Sequence, residues 1–127
     1  MRLHSFPTRR SSDLFHSSLI QPAAEAMHDA LLDVNKLAPS VPVIPNVSVE
    51  PETNPEKIIE LLVRQVTGRV RWRETVEWLA AHQVDTLFEV GSGKVLTGLA
   101  RRIDRNLHGM TVGTAEEIDN ALKALGV

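Results

Sequence analysis

Gly91-Ser92-Gly93-Lys94 is the stretch whose residue types come nearest to a known chemistry. Glycines around a serine, followed by a lysine, suit a phosphate cradle, because glycine reaches positive φ and lets backbone N–H groups approach an anion. The spacing argues otherwise. A P-loop runs Gly-x-x-x-x-Gly-Lys-Ser/Thr, whereas here a single residue separates the glycines and Val95 follows Lys94. The dinucleotide pattern Gly-x-Gly-x-x-Gly would need glycine where Leu96 stands. Ser92 is no nucleophile elbow either: Gly-x-Ser-x-Gly occurs nowhere in the chain, and Ser92 has its glycines immediately on both sides. The turn is read as a plain strand-to-helix connection packed near a site.

Histidines and carboxylates supply the other candidates. His16 opens a helical pattern, and from its neighbours alone it reads as a surface residue. His28, His82 and His108 lie among polar neighbours and read the same way. Asp33, Asp85 and Asp104 have the type of a triad partner, but nothing places them near His16. Gln65 by itself is an ordinary helix-end residue. Arg101, Arg102 and Arg105 gather at a helix end, where cations offset the dipole. They are read as a solvated face in preference to a docking patch for an acidic partner. With no Cys, disulfides and thiolate metal sites are excluded.

The elements that must position these residues follow from periodicity. Leu87 to Val90 is a short apolar run, and after the glycine turn Val95, Leu96, Leu99 and Ile103 take helical spacing. Upstream, Ile20, Ala24, Met27, Leu31 and Val34 predict a helix that fades before Pro39. Ser18 with Gln21 has the capping-box pattern at its start, and Pro22 suits a first turn. Val41 to Val49 is β-branched and predicts a short strand with extended flanks, near a sheet edge because Pro42 and Pro45 lack donors. Asn54-Pro55 opens a helix with Ile58, Ile59, Leu62, Val63 and Val66 along one stripe, and Gly68 ends it. Val70 and Trp72 lead into a third helix bearing Val76, Leu79 and Ala80. Trp72 and Trp78 are read as core and rim packing, since no basic–aromatic alternation surrounds them. Met110 to Val112 predicts a strand, and Ala115 to Leu125 a final helix. Strands alternating with helices give an α/β class with a short, mostly parallel sheet flanked by helices. Three short strands make a thin sheet, so missing neighbours are expected.

The chain of 127 residues is one small domain or part of a larger one, with 43% apolar residues for a core. Its formal charge of -2 disfavours a generic nucleic-acid binder. No apolar run approaches a membrane span and no apolar signal region follows Met1, so no membrane is expected and the cytoplasm is the simplest compartment. Residues 1–14 stand apart. They carry Arg2, Arg9, Arg10 and Asp13, a net +2 against -4 for the remainder, and they follow no apolar period. Phe6 to Asp13 can be written in DNA as TTC CCT ACA CGA CGC TCT TCC GAT, with CT opening the Leu14 codon. That string resembles a common short-read library adapter. Residues 1–14 are therefore expected to be a non-native translated adapter, the plainer reading being a disordered basic tail. Codons departing from the adapter string would sink the artefact reading. The second expected segment is residues 15–127.

Several stretches together carry a family resemblance. Phe15-His16-Ser17-Ser18-Leu19-Ile20-Gln21-Pro22-Ala23, Val43-Ile44-Pro45-Asn46-Val47, Arg64-Gln65-Val66-Thr67, Val70-Arg71-Trp72 and Glu89-Val90-Gly91-Ser92-Gly93-Lys94-Val95-Leu96-Thr97-Gly98-Leu99 resemble, in order and spacing, the C-terminal third of malonyl-CoA:acyl-carrier-protein transacylases. The resemblance runs from Phe15 to the C-terminus. It implies part of an α/β-hydrolase-like acyltransferase core, with the family's inserted ferredoxin-like subdomain absent. It implies malonyl transfer from coenzyme A to acyl carrier protein through an acyl-serine intermediate, in fatty-acid or polyketide synthesis. It implies His16 as general base, held by the backbone carbonyl of Gln65. The partners implied are malonyl-CoA and acyl carrier protein. There is no cofactor, since coenzyme A thioester and phosphopantetheine are substrate groups, and the intact protein is expected to be a monomer. The family's serine, in a Gly-His-Ser-x-Gly elbow, and its substrate-gripping arginine have no counterpart here. The expectation is a fragment that carries its base without its nucleophile and is inactive alone. Two other classes compete: a non-catalytic α/β protein-interaction module, and a nucleotide-binding α/β domain that the glycine spacing disfavours.

Overall fold

The computed structural model describes residues 18–127, which fall into two compact units divided between Arg71 and Trp72. In the first, a 3-10 turn (Ser18–Ile20) leads into helix α1 (Gln21–Leu32), which packs against helix α2 (Pro55–Thr67). Pro22 stands in the first turn of α1, where its missing N–H costs nothing. The helix start expected at Ser18 is displaced: the cap position of α1 is Ile20, with no side-chain hydrogen bond. The 3-10 turn runs directly into α1 and displaces the cap. Helix α2 begins as its sequence predicts. The Asn54 side chain accepts from the Lys57 N–H at 2.9 Å, Pro55 follows, and Gly68 closes the helix with its N–H on the Arg64 carbonyl. Ala24 and Leu61 are the buried residues of the two helices.

The strand expected over Val41 to Val49 is not there. Only an isolated antiparallel bridge forms, Val43 with Glu52, through two hydrogen bonds of 2.9 and 2.8 Å. The prolines explain this. Pro45 accepts from the Ser48 and Val49 N–H groups, turning the chain, and Val49 takes φ 60. A β-branched residue in the left-handed region is strained, and burial of Val49 to 8% exposure is what holds it there.

The second unit runs α3 (Trp72–Ala81), β1 (Thr86–Val90), α4 (Val95–Ile103), β2 (His108–Val112) and α5 (Ala115–Leu125). Strands β1 and β2 pair in parallel, with Thr86 opposite His108 and Val90 opposite Val112. The expected sheet is thus parallel and short, with two strands among the described residues instead of three. Val76, Ala100 and Leu107 form the buried cluster, and Trp72, Ala80, Leu87 and Ile103 pack on it. Trp78 instead stacks on exposed His82, ring centroids 3.7 Å apart. The last helix has the limits read from its sequence, closed by Gly126 at φ 76. Among the described residues no helix is long and apolar enough to cross a membrane.

Candidate active site

In a parallel sheet, ligands are taken at the carboxyl ends of the strands. Here that end carries two turns, residues 91–94 after β1 and residues 113–114 after β2. Gly91 (φ 133) and Gly93 (φ 95) use backbone that other residues rarely adopt. Gly91 donates its N–H to the Val112 carbonyl at 3.2 Å. Gly113 passes so close that a Cβ on it would strike the Gly91 carbonyl oxygen. The two turns are therefore in backbone contact.

A carboxylate fixes each turn. Glu89, on β1, accepts from the Leu96 N–H at 3.0 Å, the Thr97 N–H at 2.8 Å and the Thr97 hydroxyl at 2.7 Å. It caps α4 from outside the helix, since Lys94 at the cap position makes no side-chain bond. The Thr97 hydroxyl foremost, then the N–H groups of Thr97, Leu96 and Val95, hold the Glu89 carboxyl below the ordinary range. The first N–H groups of α4, which an outside anion at this helix start would use, are thus engaged by the protein's own carboxylate. Glu117 does the same after β2. Its carboxylate accepts from Gly113 N–H at 2.8 Å, Thr114 N–H at 3.1 Å and the Thr111 hydroxyl. The Thr114 hydroxyl accepts in turn from the Glu117 N–H at 3.2 Å, completing a capping box. The Thr111 hydroxyl first, then the Gly113 N–H, lower the Glu117 pKa.

Neither carboxylate is among the sequence-derived candidates. Thr114-x-x-Glu117 displays the capping-box pattern openly. Glu89 reaches an acceptor role seven residues on, for which no local pattern exists.

The candidates themselves belong to different elements. His16 lies outside the described residues. Gln65 is half-buried in the last turn of α2, the part of a helix whose carbonyls turn to partners beyond it. Asp33 ends α1, Asp85 accepts from the Thr86 hydroxyl at 2.8 Å, and Asp104 accepts from the Asn106 N–H at 2.8 Å. Asp85 and Asp104 thus serve bonds within two residues of themselves. His28 faces Asp29 at 3.4 Å, and His82 donates from Nδ1 to the Trp78 carbonyl at 2.7 Å. Among the described residues no histidine side chain bonds a serine, and no cluster of side chains suits a metal. A groove of about 760 Å³ at the amino ends of the strands brings Arg101, Arg105 and His108 together.

No protein-family model matches the chain. Individual proteins do. The malonyl CoA-acyl carrier protein transacylase of Escherichia coli (strain K12) is 48% identical over 88 residues, 69% of this chain and 28% of the relative. The solved acyl-carrier-protein-S-malonyltransferase from Bartonella henselae superposes with a TM-score of 0.84 at 69% identity, over 89% of this chain and 36% of that one. The chain belongs to the malonyl-CoA:acyl-carrier-protein transacylase family. A malonyl-transacylase solved in complex with a type II PKS acyl-carrier protein superposes with a TM-score of 0.79 at 38% identity, over 87% of this chain and 36% of that one. The chain spans roughly a third of the length of these transacylases. The α/β class expected from the sequence stands, and the family resemblance with it.

Proposed function

We propose that this chain is the C-terminal part of an acyltransferase that moves malonyl from coenzyme A to acyl carrier protein, in the cytoplasm, for fatty-acid or polyketide synthesis. The observation that carries this reading is 69% identity to the Bartonella S-malonyltransferase with a TM-score of 0.84. In the proposed reaction, a serine outside these residues attacks the thioester carbonyl while the His16 imidazole takes its proton. The proton then leaves with the coenzyme A thiol, and malonyl remains on the serine. In the second half, His16 takes the proton of the phosphopantetheine thiol as that sulfur attacks the malonyl-serine ester, and returns it to the serine oxygen. The Gln65 carbonyl accepts a ring N–H of His16, which leaves the other nitrogen free to act as base. The position of Gln65 in the last turn of α2 supports this role.

The 127 residues contain no Gly-x-Ser-x-Gly, so the chain alone supplies no covalent route and is proposed to be inactive. A thioester-exchange assay with malonyl-CoA and acyl carrier protein tests this. No turnover above buffer is expected; clear turnover would overturn the fragment reading. Extending the reading frame upstream tests the family role: a Gly-His-Ser-x-Gly motif is expected there.

A further inference from the structure

Side chains alternate between the two faces of a sheet, so Thr86 and Phe88 share one face of β1, and their partners His108 and Met110 share that face of β2. All four line the groove of about 760 Å³, together with Thr97 and Arg101 of α4 and Ala124 and Leu125 of α5. Half-buried Phe88 and Met110 make part of the lining apolar, while Arg101, Arg105 and His108 stand exposed around it. Among the described residues, the side chains of Arg101, Arg105 and His108 have no hydrogen bond or ion pair. Other arginines of this chain are spent on the protein itself: Arg73 donates to Glu77 at 2.9 Å, and Arg71 to the Ser48 carbonyl at 3.3 Å. Asp85 is the one carboxylate in the groove lining, and it accepts from the Thr86 hydroxyl at 2.8 Å. Two guanidiniums against one carboxylate leave the groove a single positive charge when His108 is neutral.

We propose that this groove binds a small aliphatic carboxylate, its head on Arg101 and Arg105 and its tail over Phe88 and Met110. The volume lies in the ordinary range for a small-molecule site, and apolar lining with a few convergent polar groups is the usual make-up of one. The planar guanidinium fork matches a carboxylate with two parallel hydrogen bonds. A monoanion balances the single surplus charge; a phosphate dianion would leave negative charge uncompensated beside Asp85. A head without a tail would leave the Phe88 and Met110 surface wet, and a tail without a head would leave both guanidiniums unpaired. The groove is built from β1, β2, α4, α5 and the turn that carries Arg105, so the proposal does not depend on the transacylase reading.

The test titrates the full 127-residue chain with octanoate by calorimetry, while labelled methionine methyl groups report where it binds. A Kd of roughly 0.1–1 mM is expected. The Met110 methyl signal should shift, and that of Met27, on α1 in the other unit, should not. Acetate, which has the head alone, and octanol, which has the tail alone, should each bind about tenfold more weakly or worse. Arg101→Gln joined to Arg105→Gln should weaken octanoate by about tenfold or more and leave octanol unchanged. Ala124→Phe should block the groove and abolish the Met110 shift, whereas Lys57→Gln on α2 should change nothing. Far-UV circular dichroism confirms that each variant keeps its helices, and if Ala124→Phe does not, the arginine pair still decides. Octanoate binding no better than octanol or acetate, unmoved by the arginine variants, or shifting Met27 as much as Met110 would overturn the proposal. Octyl phosphate binding more tightly than octanoate would overturn the choice of head group.

Discussion

At the scale of single residues, a serine hydroxyl is a poor nucleophile at neutral pH unless a placed base takes its proton. In a chain joined to its upstream segment, His16→Ala is expected to lower malonyl transfer by roughly a hundred- to ten-thousand-fold. Gln65→Ala should cost far less, because the proposed contact uses the backbone carbonyl. His28→Ala and His82→Ala should be near neutral, since both rings bond within their own helical segment. Activity surviving His16→Ala but lost in His28→Ala would reassign the base. Glu89 gives a pH test on the chain as it stands. Its pKa is lowered in the fold, so its contribution is fully present above the ordinary carboxylate range and is lost as pH falls through the folded value. Glu89→Gln should melt lower than the parent at neutral pH, and the gap should close in acid. An equal gap at both pH values would mean that the charge is not what holds the turn. Glu89 also marks a limit of sequence reading: its partners Leu96 and Thr97 become neighbours only when the turn folds.

At the scale of elements, legibility follows the range of the determining contacts. Helix α5 is readable to its ends because Thr114, Glu117 and Gly126 act within one turn of it. Helix α2 is readable for the same reason, through Asn54, Pro55 and Gly68. The Val41 to Val49 segment is not, because β-branched residues favour a strand only when a neighbouring strand receives them. Pro42 and Pro45 remove the donors that pairing would use, and the segment turns on Pro45 instead. The proposed site rests on family terms alone: composition and spacing leave His16 and Gln65 ordinary, and only the quoted motifs raise them. Two glycines test the packing of the turn region. Gly98 lies inside α4 with open space where a Cβ would stand, so Gly98→Ala should stabilise by about 0.5–1 kcal/mol. Gly113→Ala meets the Gly91 backbone and should destabilise by about 1–3 kcal/mol. Chemical denaturation of both variants checks the pair; equal effects would contradict the backbone contact between the two turns.

At the scale of the whole molecule, the deciding quantity is how much apolar surface the chain buries on itself. In the second unit the buried cluster has three members, Val76, Ala100 and Leu107, and two of them are smaller than leucine. Meanwhile Val90, Val95, Leu96, Leu99 and Leu122 stand exposed there, and Leu19, Met27, Leu32 and Leu37 do so in the first. A cooperative transition needs a packed interior that comes apart as one, which a small cluster with large exposed neighbours does not provide. The isolated chain should therefore melt broadly and bind a hydrophobic dye at neutral pH, as states with incomplete packing do. Adding the upstream part of the fold should sharpen the transition and suppress the dye signal by covering apolar surface that stands exposed here. Calorimetry and dye fluorescence on the chain, alone and joined to that part, make the comparison. A sharp two-state melt of a dye-silent monomer would show that these 127 residues already complete their own core, and would favour an autonomous interaction module over a transacylase segment.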